Sequence, residues 1–110
     1  MKYTVGNRRL EKQLKDASSI KTAFGPLAKL IVRRLDEIES APSLMVLMQI
    51  SQTNCHPLKG RRKGQWAVNV SGNYRIIFQI TDDPLPMKSE TEIDHANVKE
   101  VEIVEIIDYH

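Results

Sequence analysis

The sequence predicts an α+β fold, with two N-terminal helices packed on a small twisted, mainly antiparallel sheet. Three observations carry that expectation. Apolar residues recur at steps of three and four through Ile20, Phe24, Leu27, Ile31, Leu35 and Ile38, the spacing that lines one face of a helix. From Gln65 the period drops to two, as Trp66, Val68 and Val70 alternate with Gln65, Ala67 and Asn69, the pattern of a half-buried strand. The helical stretches also come first and the strands later, which favours α+β over an alternating parallel plan.

The elements follow in order. Lys2 to Val5 suits a short first strand. Asn7 is a candidate N-cap for a helix in which Leu10 and Leu14 share a face. Ser18 or Ser19 caps the second helix, which kinks or breaks at Gly25-Pro26 because proline removes a helical hydrogen bond, and ends before Pro42. The apolar run from Ser43 to Ile50 reads as a helical turn in the core. Ser71-Gly72-Asn73 supplies turn residues between the strand from Gln65 and a second one, Tyr74 to Ile80, making a hairpin. Residues 82–99 are polar and proline-bearing, a long excursion with a helical turn near Ala96. A β-branched strand from Val101 to about Tyr109 closes the chain.

At 110 residues the chain fits one domain, and a shallow surface site is a better expectation than an enclosed cavity. Hydrophobic residues make up 41% and charged residues 27%, ordinary values for a globular protein. The single cysteine excludes an intrachain disulfide, and no His/Cys spacing calls for a metal. No window reaches the apolar length of a membrane span, and no leader pattern is visible, so a cytoplasmic location without membrane contact is expected.

Charge is distributed unevenly. Residues 1–50 hold nine Lys/Arg against five Asp/Glu, residues 51–80 hold five basic residues and no acid, and residues 81–110 hold nine acids against two lysines. A basic segment free of carboxylates fits an anionic partner, nucleic acid above all; the alternative is a solvated loop. That segment, "CHPLKGRRKGQW" from Cys55 to Trp66, precedes the first hairpin strand. A meander would align it along one sheet edge with Arg75 and with the terminal Asp108-Tyr109-His110. His56, Lys59, Arg75, Tyr109 and His110 would then form a shallow site for phosphodiester cleavage by a neighbouring 2′-hydroxyl. That reaction needs a base, cations for the phosphate and an acid for the leaving oxygen. Histidine takes either proton role near neutrality, and arginine grips two phosphate oxygens at once. Each residue also has a plainer reading: His56 as a loop hydrogen-bonding group, Arg61, Arg62 and Lys63 as a phosphate-attracting patch, Arg75 as the partner of Asp108. Trp66, Phe78, Met45 and Met48 suit the core, Cys55 a small buried position, and His95 the surface.

The run "CHPLKGRRKGQWAVNVSGNYRIIF" and the terminal "VEIVEIIDYH" resemble the HigB-like branch of the RelE/ParE toxin superfamily. The helices at "RRLEKQL" and "LAKLIVRRLDEIESAP" sit where that family places its helical pair, so the resemblance covers nearly the whole chain. It implies a RelE-like fold and the toxin of a type II toxin–antitoxin pair, a ribosome-dependent mRNA endonuclease working without metal or cofactor. By position, His56, Lys59, Arg75, Asp108, Tyr109 and His110 match the catalytic residues. Arg61, Arg62, Lys63 and Asn69 fall at positions that hold RNA or the ribosome, Asn69 standing where many members carry arginine. The implied partners are a HigA-like helix-turn-helix antitoxin, the ribosome with its message, and operator DNA through the antitoxin complex. Two alternatives remain within the superfamily, a ParE-like inhibitor of DNA gyrase and a member that binds or regulates without catalysis.

Overall fold

The computed structural model describes residues 1–108. Its centre is a five-stranded sheet in the order β1-β5-β4-β3-β2, formed by β1 (Lys2–Val5), β2 (His56–Pro57), β3 (Gln65–Ser71), β4 (Tyr74–Ile80) and β5 (Glu100–Asp108). β2 to β5 pair antiparallel, while β1 runs parallel to β5 with Lys2 opposite Glu100. The sheet is therefore mainly antiparallel, as the sequence predicts, with one parallel edge. The ammonium of Met1 donates to the carbonyl oxygens of Ile38, Glu39 and Ala41, where carbonyls left over at a helix end favour a cation. Desolvation there lowers its pKa.

Among the described residues the α-helices are four rather than two: α1 (Arg8–Gln13), α2 (Ala17–Phe24), α3 (Ala28–Ser40) and α4 (Leu44–Met48). Asn7 caps α1 as expected, its Oδ1 accepting from the Leu10 N–H at 2.8 Å. The cap of α2 is Asp16, not Ser18 or Ser19; its carboxylate accepts from the Ser19 N–H at 2.7 Å. That bond is also the main cause holding the Asp16 carboxyl below its ordinary pKa. A capping side chain must stand three residues before the N–H it takes, which Ser18 and Ser19 do not for the first turn. The break at Gly25-Pro26 is present as a 3₁₀ turn over Gly25–Leu27.

One face of the sheet receives the helices. Ile31, Ile38, Leu44, Leu47, Ile76, Phe78, Val98 and Ile103 are fully buried there, with Trp66 stacked on Phe78. Two details differ from the sequence reading. Met48 is exposed and Met45 is half-buried outside the core cluster, because α4 turns Leu44 and Leu47 fully into the core with Val46 at its margin. His95 lies edge-on against Trp66, with ring centroids 5.4 Å apart, because the 3₁₀ turn His95–Asn97 packs beside α4. The 82–99 excursion closes on the Asp82 carboxylate, which accepts from the N–H groups of Lys99 and Glu100, each at 3.0 Å.

The half-buried strand pattern puts the core on one face, yet the second face is partly apolar too. Ala67 and Ile77 are fully buried there under Leu58, with Val104 and Ile107 packed alongside. The loop carrying Leu58 folds over the hairpin, so the central strands lose water from both sides. No described helix is long and apolar enough to cross a membrane.

Candidate nucleic-acid interface

The basic segment is not only a loop. His56 and Pro57 form the edge strand β2, with His56 opposite Ala67 and Pro57 opposite Trp66; an edge is where proline fits a sheet, since it gives no N–H to the ladder. Beyond it, Gly60 and Gly64 take φ of +64° and +95°, a region that costs any side-chain-bearing residue about 1 kcal/mol or more. They bracket the 3₁₀ turn Gly60–Arg62, which returns the chain into β3 and presents three consecutive basic side chains.

Residues directly opposite in a ladder share a face, and alternate residues along a strand do too. His56, Ala67, Ile77 and Glu105 therefore form one row across the second face, and Asn69, Arg75 and Ile107 form the next. Strand spacing and rise put the His56 and Arg75 backbones about 12 Å apart, a gap that two long side chains can close around one phosphodiester. The arrangement runs across the second face, not along one edge as the sequence predicts, because β3 and β4 separate β2 from β5.

His56 is half-buried, and its Nδ1 lies 2.6 Å from the carbonyl oxygen of Asn54. A carbonyl only accepts, so Nδ1 carries the proton and donates. Neutral His56 then keeps a lone pair at Nε2. Asn54 itself stands at φ 43°, the left-handed region that asparagine tolerates best after glycine. Arg75 donates Nη1 to the carbonyl oxygens of Gly72 at 2.7 Å and Tyr74 at 3.0 Å. Its plainer reading as the partner of Asp108 does not hold: Asp108 sits opposite Tyr74, and alternation turns it away from the Arg75 row. Lys59, Arg61 and Lys63 are exposed.

Arg62 differs from its neighbours. Its Nη1 lies 2.6 Å from Glu105 Oε1 and donates to Gln65 Oε1 at 2.9 Å. Asn69 is held from the helix side: a register shift between Asn69 and Ser71 interrupts the ladder, and the buried Arg34 of α3 donates Nε to the Asn69 carbonyl at 2.7 Å while its Nη1 pairs with Glu37 at 2.6 Å. The Asn69 Oδ1 is buried and without a hydrogen-bond partner. Tyr109 and His110 lie outside the described residues.

Sequence reasoning missed Glu105, Arg34 and Gln65. The runs Trp66-Ala67-Val68 and Ile76-Ile77-Phe78 interrupt strict apolar-polar alternation, and a near-continuous apolar strand is the signal that both faces are covered. Cys55 is buried, and burial pushes its thiol up to about 12, so it is no nucleophile. Among the described residues no group of three or more His, Cys, Asp or Glu could hold a metal ion. A groove of about 460 Å³, lined by Val32, Pro42, Val46 and Ile50 among others, lies on the helix side, away from His56 and Arg75.

No known family's model matches the chain, and neither does any curated protein. Among solved structures, a YoeB/ParE toxin from Agrobacterium tumefaciens is similar over 100% of both chains, with a TM-score of 0.58 and 13% sequence identity. At that identity the likeness is one of fold, and the fold is shared from end to end.

Proposed function

We propose that this protein is the toxin of a toxin–antitoxin pair and cleaves messenger RNA on the ribosome by attack of the 2′-hydroxyl on the adjacent phosphate. The observation that carries the reading is His56, whose Nδ1–H is engaged by the Asn54 carbonyl so that Nε2 is left as a base on the face that carries Arg75. The fold likeness to a toxin supports it, as does the resemblance of "CHPLKGRRKGQW" and the terminal "IDYH" to HigB-like toxins.

In this reaction His56 Nε2 takes the 2′-hydroxyl proton, the 2′-oxygen bonds to phosphorus, and the bond to the 5′-oxygen breaks. The products are a 2′,3′-cyclic phosphate and a 5′-hydroxyl. Arg75 leaves the turn carbonyls for the phosphate, with Lys59 adding charge where the transition state gains it. The acid that protonates the 5′-oxygen is assigned to the terminal motif, with His110 the proton donor and Tyr109 and Asp108 its neighbours. Arg61, Arg62, Lys63 and Asn69 hold the message or ribosomal RNA. A HigA-like helix-turn-helix antitoxin is the proposed protein partner, and it brings the pair to operator DNA.

Induction of the protein in cells, with transcriptome-wide mapping of RNA 5′ ends, tests the reading. New ends inside translated messages are expected, and His56→Ala should reduce them at least about 10²-fold, with Arg75→Ala also impaired. Intact messages together with DNA breaks would replace the reading by a ParE-like action on gyrase. Growth arrest unchanged in both variants would remove these residues from the site.

A further inference from the structure

We infer that Glu105 is a specificity-determining residue, whose carboxylate occupies at Arg62 the place that a nucleic-acid phosphate takes on binding. The inference deepens the RNA reading above and rests on it for the identity of the anion. Residues 51–80 contain no acid, yet Arg62 reaches from the 3₁₀ turn across β3 and β4 to Glu105 on β5. The two side chains are 30% and 37% exposed, so solvent and ligands reach the pair. Gln65 Oε1 accepts from the same Nη1, so the guanidinium is held by two side chains, one on β3 and one on β5.

Guanidinium recognises carboxylate and phosphate with the same fork of donors. A phosphate can therefore replace Glu105, but it must break the pair and then lie beside the released carboxylate. Every polyanion meets that cost at Arg62. A strand that also engages Arg75 and His56 offsets it through those contacts, whereas an anion touching only the basic turn does not. Glu105 thus weakens indiscriminate binding and favours ligands that span the face.

The test is equilibrium binding of a short, fully 2′-deoxy, fluorescently labelled single strand, which 2′-hydroxyl attack cannot cleave. Glu105→Gln should bind it about threefold more tightly, the value expected for removing one exposed ion pair. In an Arg62→Gln background the same change should do nothing. Glu92→Gln, which removes an equal charge from the 82–99 excursion, should leave binding unchanged, and Trp66 fluorescence reports that each variant is folded. Affinity unchanged or reduced in Glu105→Gln, a gain that survives in Arg62→Gln, or no binding by either form would overturn the inference. Tighter binding by Glu105→Gln in a protein whose induction leaves messages intact would retain the exchange at Arg62 and remove the nuclease.

Discussion

Replacing Arg34 by methionine should destabilise the protein by about 2–3 kcal/mol. Arg34 is 7% exposed and makes two bonds, one from Nε to the Asn69 carbonyl at 2.7 Å and one from Nη1 to Glu37 at 2.6 Å. Methionine fills the space of the aliphatic stem but donates nothing. A charge-assisted hydrogen bond is worth about 1.5–3 kcal/mol, and its loss leaves the Asn69 carbonyl unpaired at the point where the β3–β4 ladder is already interrupted. The Glu37 partner adds less, because its side chain is 20% exposed and regains water; Glu37→Gln alone should cost below about 1 kcal/mol. The assay is urea unfolding followed through Trp66, the single tryptophan and only 3% exposed, with both variants compared at the wild-type m-value. Equal losses in the two variants would refute the reasoning, since the ion pair and not the strut to β3 would then carry the effect. So would a loss under about 1 kcal/mol for Arg34→Met.

Three further outcomes are expected. Ile77→Ala should cost about 2–5 kcal/mol, because Ile77 is fully buried under Leu58, and limited trypsin digestion should show faster cleavage at Arg61 to Lys63 as the loop loses its support. Asn54→Ala should cost about 1 kcal/mol and Asn54→Gly less in thermal unfolding, since φ of 43° strains alanine and not glycine. Cys55 sets an alkaline limit: burial raises its thiol from 9.0 to about 12, so its share of stability is full below pH 9 and is lost as the pH rises from there towards 12, where the unfolded chain releases the proton first. The slope is up to roughly 1.4 kcal/mol per pH unit, and Cys55→Ala should flatten it in urea titrations at pH 8 to 11.

Much of the fold was legible because its signals are local. The Asn7 cap, the break at Gly25-Pro26, the hairpin through Ser71-Gly72-Asn73 and the last strand each depend on a few neighbouring residues. What stayed hidden depends on chain segments far apart. The parallel pairing of β1 with β5 joins residues about 100 positions apart, and nothing in Lys2 to Val5 names its partner. The edge strand at His56-Pro57 is two residues long, too short for any period to show. Of the candidate site, the sequence shows the residue types, and the registers put His56 and Arg75 on one face. Its shape was not legible, since Arg62–Glu105 and Arg34–Asn69 join residues 43 and 35 positions apart.

Under the proposed RNA reading, the resting partners of the two arginines set what each gains from a phosphate. Arg75 is held by two neutral carbonyl oxygens in an exposed turn, and water replaces such acceptors at little cost, so a phosphate gains a charge-assisted bond nearly in full. Arg62 is held by a carboxylate, and the same phosphate gains there only the difference between two anions. On the proposed reading, a strand thus gains more at Arg75 than at Arg62, and the exchange at Arg62 is favourable only for a ligand that the Arg75 row already holds. Under the proposed RNA reading, the run "KGRRKG" therefore divides in two: Lys59, Arg61 and Lys63 are exposed and open to an anion, whereas Arg62 engages one only in exchange for Glu105.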